Sequence, residues 1–479
     1  MHSSNLFETL ATFDKDEFKD LGDIVRSPFF NTNKSLVALY DLIKKYHPDL
    51  SNKALIKENA FKKLFPGEEY NDNRMRLLIH RLNSLTEELM IQQNVAENDY
   101  WPKIFLLGEL KKRRLFKSYE KHLKEAREAN YKTNLNTNEF YFVQFTIEQS
   151  NLAAQIAKNL DANEKAMVNA QLSVVNESIN CFAIITILKF SLFTENLKYR
   201  MKIEKSDNLL DEALEHVKNH DYSSHPILMI YYYLNLIFKE PENLDHYINA
   251  RDIFFKHEDD LHTFDSINIY INLENYLWKL YRRDYTILKG EILKLYNRRI
   301  EKNNYKLGGY MPNQIYKRVV RALLMEDSLK KAEKFINERK QELNPLFLES
   351  VYNYSCALSS FHKKDYGKAL EFLAIAQNED ISHKIDVKNL VLLINYEMND
   401  FDALKLALDS YRHFLKNNQT ISEQVKNRAA TVIKFLHRLS KLSQKPDEFE
   451  SVKLKQELVS HNDLEFREWF LDKASLLPK

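Results

Sequence analysis

The amino-acid sequence predicts an all-α protein, in which a small helical N-terminal domain precedes a solenoid of helical hairpins and a helical cap. Three observations support this prediction. The chain has only 7 Gly and 10 Pro among 479 residues, too few for an architecture rich in tight turns. Apolar residues recur at three- and four-residue steps, which is typical of helices with one buried face. Short polar breaks separate these segments in pairs, as in helical hairpins.

Charge and composition narrow the class of protein. The chain has 70 Lys and Arg against 68 Asp and Glu, a formal net charge of +2, so no global field favours nucleic acid or a membrane. Two cysteines, Cys181 and Cys356, are too few for a disulfide scaffold and suit a reducing cytosol. The bias toward lysine, asparagine and isoleucine indicates an AT-rich bacterial genome.

No targeting or membrane segment is expected. The N-terminus lacks the charged lead and apolar run of a secretory signal. The most apolar stretch, residues 181–188, is far shorter than the roughly 20 residues that span a bilayer. We interpret it as a buried core helix and predict a cytoplasmic protein without membrane contact.

Residues 1–97 are expected to form the helical N-terminal domain. Asp14 and Glu17 make a capping-box-like start for a helix through about Val25, and Ser27-Pro28 ends it because the residue before proline disfavours the α conformation. Further helices are predicted over residues 33–46, 51–64 and 72–93. The last has a narrow apolar seam of Met75, Leu78, Leu82, Leu85 and Leu89.

One turn and helix in this domain resemble the winged-helix DNA-binding domain of the streptomycete antibiotic regulatory family. The resemblance lies in residues 64–67 (Leu-Phe-Pro-Gly) followed by residues 76–82 (RLLIHRL). It implies that Arg74, Arg76 and Arg81 contact nucleic acid, and that a tetratricopeptide-like domain follows in the chain. The next residues, TEELMIQQNVAENDYW, contain no clear β-wing.

Residues 98–420 are predicted to form the repeat array. A charged helical region over 98–130 contains residues 111–114 (Lys-Lys-Arg-Arg), which we interpret as the solvated face of a connecting helix. A phosphate-contacting patch is the alternative, because clustered lysine and arginine displace counterions from nucleic acid. Three helical segments are expected over 137–219, broken near 159–163 and 204–207.

Five helical hairpins are expected beyond Pro226, and capping helices over residues 421–479. The turns Asp365-Tyr366 and Asp400-Phe401 lie 35 residues apart, a spacing typical of stacked helical repeats. The capping helices are predicted to run to about Leu442, then over 447–460 and 463–476. The paired hairpin segments are 225–238 with 246–255, 264–281 with 284–297, 312–324 with 327–342, 350–361 with 366–376, and a last pair turning at 399–401.

The fourth hairpin resembles a tetratricopeptide repeat. The repeat's Trp near the start, its Gly and its closing Pro are absent, and Cys356 stands where Leu is usual. The resemblance implies a helical-repeat interaction surface without identifying what binds there. The residues that fit the pattern are Ala357, Asp365, Tyr366, Ala369, Leu373 and Ala376.

Three short motifs contain residue types used in catalysis but lack the required context. His257 and His262 are five positions apart, whereas a zinc-protease helix needs its histidines four apart on one face. Ser328 and Lys331 match Ser-x-x-Lys without the other elements of penicillin-recognising enzymes. Gly308-Gly309 lacks the lysine of a phosphate loop. We predict no enzyme, no metal and no cofactor.

The aromatic content points to an interaction surface. With 29 Phe, 26 Tyr and 3 Trp, rings either fill the gaps between adjacent hairpins or partly line a groove. We expect a non-catalytic cytoplasmic scaffold or adaptor whose solenoid surface holds a peptide or helix of another protein. The alternative is a DNA-binding transcription regulator that uses the N-terminal domain, with the repeats sensing a partner. The candidate groove residues are Tyr232, Asn275, Arg282, Lys317, Arg321 and Tyr354.

Overall fold

The all-α prediction is confirmed by a computed structural model of the chain. It describes residues 4–132, 137–157, 162–200, 209–284, 290–306, 308–377 and 380–477. These residues form 23 α-helices and a few short 3-10 turns, and no β-strand occurs among them. Two compact units account for the fold: Met1–Thr133 with Val143–Leu172, and Asn134–Phe142 with Ser173–Lys479. The finer domain boundaries at residues 97 and 420 stay predictions.

The first unit begins with helices whose caps follow the sequence pattern. The Asp14 side chain accepts hydrogen bonds from the Asp16 and Glu17 N–H groups, and Glu17 accepts from the Asp14 N–H, which confirms the capping box. One hydrophobic core joins residues 6–89 and a second joins residues 100–154. The helices are α1 (Asn5–Leu10), α2 (Lys15–Arg26), α3 (Lys34–Lys44), α4 (Lys57–Leu64), α5 (Asp72–Glu97), α6 (Trp101–Lys112) and α7 (Phe116–Lys132).

Three features of this unit differ from the predictions. Helix α1 was not expected from the sequence. The segment 51–64 contains a 3-10 turn at Lys53–Leu55, and α4 begins only at Lys57, because Ile56 adopts an extended conformation. The region 98–130 forms two helices, with part of the basic cluster at the turn between them, where Arg114 has a φ of 54°.

The second unit is a stack of helical hairpins. Helices α8 (Asn138–Ile156) and α9 (Ala162–Arg200) contribute residues to both units. The break expected near 204–207 lies outside the described residues, as does most of the break expected near 159–163, of which residues 162–163 belong to α9. Helix α10 (Leu210–Asn219) precedes the hairpins. The hairpin helices are α11 (Pro226–Lys239), α12 (Leu244–His257), α13 (Thr263–Tyr281), α14 (Glu291–Glu301), α15 (Asn313–Met325), α16 (Leu329–Glu338), α17 (Pro345–His362), α18 (Tyr366–Ile375), α19 (Ile381–Glu397) and α20 (Phe401–Asn417).

These hairpins stack as the solenoid prediction requires. Each helix from α11 to α20 packs against the next in sequence. The first helix of one hairpin also packs against the first helix of the next, as α11 does with α13, α15 with α17, and α17 with α19. We call the first helices, α11, α13, α15, α17 and α19, the A-row, and their partners the B-row. One hydrophobic core joins buried residues from 140 to 394 in this unit.

Three hairpin turns share one geometry. Asp327, Lys364 and Asn399 have φ values of 52°, 62° and 56°, and the next N–H donates to the carbonyl five residues earlier, at 2.9–3.0 Å. This is a helix C-cap in which a left-handed residue satisfies the last carbonyls. Asp365 and Asp400 then cap the following helices through their side chains. The 35-residue spacing seen in the sequence is therefore a repeat of the same turn.

The chain ends with α21 (Glu423–Gln444), α22 (Glu448–Ser460) and α23 (Arg467–Ser475), which share a core of residues 392–477. The predicted start of the last helix at Asp463 is wrong. Phe466 adopts a left-handed conformation (φ 57°), so the helix begins only at Arg467. Residues 463–466, which we call the terminal segment, are non-helical and join α22 to α23.

Helix α9 holds the most apolar stretch of the chain. Cys181, Ile185 and Leu188 are fully buried, as expected for a core helix, whereas Phe190 and Phe193 are 64% and 57% exposed. Within the described part of the chain, Val168–Leu197 is long and apolar enough to cross a bilayer by length and composition, and 33% of its window is buried. Core helices of soluble proteins meet the same criterion. The apolar region is longer than residues 181–188, on which the expectation of no membrane segment rested.

Candidate functional site

Five of the six predicted groove residues belong to neighbouring A-row helices. Asn275 lies in α13 and Arg282 caps its C-terminus, Lys317 and Arg321 lie in α15, and Tyr354 lies in α17. Lys317 and Tyr354 are buried and the other three are half-buried. All five contact other A-row helices, α9 or the terminal segment through polar or ring contacts. We call this set the A-row face.

The sixth residue, Tyr232, lies apart from this set. It belongs to α11, and its ring packs edge-on against Tyr233 at a centroid distance of 5.3 Å. Burial raises its pKa, helped by the neighbouring Tyr233 and Glu240. The Tyr233 ring in turn lies near His246 of the B-row. This tyrosine run therefore contributes to hairpin packing, as one of the two interpretations of the aromatic content expects.

The terminal segment presents its first carboxylate to two arginines. Arg282 Nε donates to Asp463 Oδ1 at 2.5 Å, and Arg428 of α21 donates to Asp463 Oδ2 through Nε and Nη2, both at 3.2 Å. Burial opposes ionisation of this carboxyl, but the two guanidinium groups outweigh burial and hold the pKa of Asp463 below its usual value. The carboxylate is fixed from two sides.

The second carboxylate of the segment pairs with Arg321. Arg321 Nη1 donates to Glu465, and the guanidinium carbon lies 5.1 Å from the Trp278 ring, 5.7 Å from Tyr281 and 4.8 Å from Phe466. Three aromatic rings thus surround one guanidinium, which favours the cation through the ring faces and removes water from it. The side chains of Arg321 and Glu465 are only 23% and 16% exposed.

The charge state of Glu465 follows from these contacts. Burial alone would raise its pKa, but Arg321, Arg282 and Arg428 outweigh that effect and lower the pKa to about 2. The carboxylate is therefore ionised throughout the neutral and mildly acidic range. Because a buried guanidinium without a partner is strongly unfavourable, the A-row face requires an anion at this position.

Lys317 and Tyr354 form the next part of the face. Lys317 Nζ donates to Asp386 of α19 and lies 5.5 Å from the Tyr354 ring centroid. The Tyr354 ring packs edge-on against His383, whose Nε2 donates to the Ala376 carbonyl at 2.7 Å and whose Nδ1 has no partner. Burial lowers the pKa of His383, helped by Lys317, so its imidazole is held neutral.

Asn275 extends the face toward α9. Its side-chain amide donates to Asn196 at 3.0 Å, and its oxygen accepts from Arg318 Nη1 at 3.1 Å. Arg318 also lies 3.8 Å from Glu274, which is the buried partner of Arg299. Polar contacts therefore link α9, α13, α14 and α15, and Arg318 keeps 32% of its side chain exposed.

The N-terminal arginines have a different environment. Arg74 pairs with Glu68 at 2.5 Å and lies 3.6 Å from the Phe65 ring, and Arg76 pairs with Asp72 at 2.6 Å. Arg81 is exposed on α5. No β-strand occurs in residues 4–97, so the wing of a winged helix is not formed there.

The histidine motif rejected from the sequence has a structural role. His262 caps α13 by accepting the Phe264 N–H on Nδ1 at 3.2 Å, and His257 Nδ1 lies 3.7 Å from Asp260. Across the ranges that the structure describes, no group of three or more His, Cys, Asp or Glu side chains is placed to hold a metal.

A cavity lies between α20 and α21. It has a volume of about 670 Å³ and an apolar floor that includes Leu415 and Ile433. Five cations line it, and four of them, Arg412, Lys426, Lys434 and Arg438, pair with carboxylates. We give greater weight to the A-row face, because a non-helical segment of the chain is seated there.

The role of the terminal segment was not predicted from the sequence. Asp463 and Glu465 pair with residues 181 and 144 positions away, and no local pattern marks such a pairing. The sequence analysis predicted only that the arginines of this face contact a peptide, without indicating that the peptide belongs to the same chain. No family model, no curated protein and no solved structure matches this chain. The resemblances to tetratricopeptide repeats and to antibiotic regulators therefore rest on the residues quoted for them.

Proposed function

We propose that this chain is a non-catalytic, cytoplasmic interaction protein of tetratricopeptide-like type, which binds a peptide or helix of another protein on its A-row face. The stacked hairpins support the proposal, because they place side chains of successive helices side by side on one surface. The face carries arginine and aromatic residues, the types that most often anchor protein interfaces.

One observation carries this proposal. The A-row face already holds a non-helical peptide, the terminal segment, through Arg282, Arg321 and a surround of aromatic rings. A surface that binds one stretch of polypeptide by paired carboxylates has the chemistry needed to bind another. Arg318 lies half-exposed next to these residues and is available to extend the contact.

The proposal is tested by affinity capture of the tagged full-length protein from native lysate, with and without nuclease. We expect a protein partner that survives nuclease treatment and is lost from an N275A/R318A variant, which changes the A-row face at α13 and α15. A K405A/L406A variant of α20 removes one exposed cation and one 73% exposed leucine from the B-row, so it should keep the partner. Equal retention by both variants would contradict the proposed surface.

DNA binding by the N-terminal domain is the second candidate function. The exposed positions of Arg74, Arg76 and Arg81 within two turns of α5 favour it. The ion pairs of Arg74 and Arg76 weigh against it, since their carboxylate partners compete with phosphate. A nuclease-sensitive association, weakened by joint replacement of the three arginines with alanine, would place this function first.

A further inference from the structure

We propose that the A-row face is selective for peptides in which two carboxylates two positions apart are followed directly by an aromatic residue. The terminal segment, Asp-Leu-Glu-Phe, is then the resident occupant with which a partner competes. This inference rests on the proposed function. It adds the chemistry of the ligand and explains why a segment of the chain itself occupies the site.

The spacing of the carboxylates follows from the contacts of the terminal segment. Residues 463–466 form bends and turns and no strand, so the side of the chain on which each side chain lies is given by what it contacts. Asp463 and Glu465 both contact arginines of the repeat helices, whereas Leu464 is completely buried in the core of α21, α22 and α23. The two carboxylates therefore form one recognition edge.

The two cationic positions differ in what they require. Arg282 and Arg428 share the first carboxylate, which is 40% exposed, so this position tolerates water. Arg321 lies among Trp278, Tyr281 and Phe466, where little water remains to solvate an unpaired charge. A competing peptide must therefore bring its own carboxylate to Arg321, and a neutral peptide cannot replace Glu465 without a large loss.

The aromatic position completes the pattern. Phe466 stacks its ring 4.8 Å from the Arg321 guanidinium carbon and adopts a left-handed backbone conformation, which turns the chain away into α23. Its ring is the third of the three aromatic rings that pack around the guanidinium. A partner that lacked an aromatic side chain here would leave that side open, so we include it in the required sequence.

A partner peptide that displaced the terminal segment would form the same kinds of contacts with the arginines that the segment forms. Because the internal segment is tethered, it is present at high effective concentration and lowers the apparent affinity of any partner by the fraction of time that it is docked. Weakening the segment while leaving the arginines intact should therefore strengthen binding of a partner.

The test uses a labelled synthetic peptide with the sequence of residues 460–467 (SHNDLEFR) and a control peptide in which the two acidic residues are replaced by asparagine and glutamine. Binding to the full-length protein is measured by fluorescence anisotropy. We expect the D463N/E465Q variant to bind the acidic peptide at least about ten-fold more tightly than the unmodified protein does. The control peptide should bind neither protein, and adding R282Q and R321Q to the variant should abolish binding.

Two further variants keep the result interpretable. L464A loosens the segment through its apolar anchor and retains every charge, so it should also bind the acidic peptide more tightly, even where D463N/E465Q does not fold. E450Q/E457Q removes two carboxylates of α22 that pair with Arg438, away from the A-row face, and should bind as weakly as the unmodified protein. Circular dichroism establishes that each variant is folded.

The inference is overturned if folded D463N/E465Q or L464A binds the acidic peptide no more tightly than the unmodified protein does. It is also overturned if binding persists without Arg282 and Arg321. Neither outcome affects the proposed function, which stands or falls on partner loss from the N275A/R318A variant.

Discussion

The arginines of α15 and of α5 were both candidates for binding from the sequence, and the structure places them in opposite environments. Arg321 pairs with Glu465, 144 positions away, and both side chains are mostly buried. Arg74 pairs with Glu68, only six positions away, and the two side chains are 44% and 53% exposed. Each arginine also stacks on an aromatic ring.

An arginine–carboxylate pair therefore contributes differently to stability in the two regions. An exposed pair contributes about 0–1 kcal/mol to stability, because water and salt screen the charges. A buried pair costs about 3–5 kcal/mol when one partner is removed, because the remaining charge stays in a medium that solvates it poorly. Long-range buried pairs hold elements together, whereas local exposed pairs leave their arginines accessible.

The largest expected effect comes from removing the charge of Glu465. E465Q should lower the free energy of unfolding by about 3 kcal/mol, because Arg321 is left among aromatic rings without a carboxylate. Urea denaturation followed by tryptophan fluorescence is suited to the measurement, since the Trp278 ring packs against Arg321. R321M/E465Q should lose less than the sum of the two single variants. A loss that equals or exceeds that sum would show that the pair is not coupled.

A second prediction concerns the apolar anchor of the terminal segment. Leu464 is completely buried, so L464A should lower the free energy of unfolding by about 2–3 kcal/mol through the cavity that it leaves. L476A, at a position that is 74% exposed in the same terminal region, is the matched control and should change stability by less than about 0.5 kcal/mol. Similar losses for both variants would mean that the segment is not anchored as described.

The hairpins could be predicted because their signals are local. Apolar steps of three and four residues placed most helices from α11 to α18 close to their observed bounds, and Asp365 and Asp400 marked two turns because a side-chain cap acts on the next three residues. Helix α14 is the exception, since it runs over Glu291–Glu301 and not 284–297, a range of which residues 285–289 lie outside the described residues. The start of α23 was missed because Phe466 takes a left-handed conformation, which an aromatic residue does not favour.

The candidate site was predicted in part for the same reason. Helical periodicity can place Arg282, Lys317, Arg321 and Tyr354 on neighbouring helices, and the structure brings them onto one face. It cannot indicate that Asp463 and Glu465 return to that face, since this depends on how three terminal helices pack. The sequence therefore indicates the cations of this face but not the carboxylates that pair with them.

The third prediction uses the pH dependence of stability to test the charge state of Glu465. The folded pKa of Glu465 lies at about 2, below the 4.5 usual for an unfolded glutamate, so its contribution is complete above about pH 5 and is lost as the pH falls toward 2. The unfolding free energy should fall by about 1 kcal/mol per pH unit more steeply in the unmodified protein than in E465Q over this range. Parallel pH profiles for the two proteins would contradict the depressed pKa.

The smallest effect is expected at α5, where R74A/R76A should change the free energy of unfolding by less than about 1 kcal/mol, because both pairs are exposed. Loss of the contact between Arg74 and the Phe65 ring accounts for part of that change. A loss above about 2 kcal/mol would show that these arginines stabilise the N-terminal helices, and the contrast with Arg321 would disappear. If the second candidate function holds, the same variant should instead weaken binding to duplex DNA and flatten its dependence on salt by about one unit for each phosphate contact removed, because fewer counterions are released.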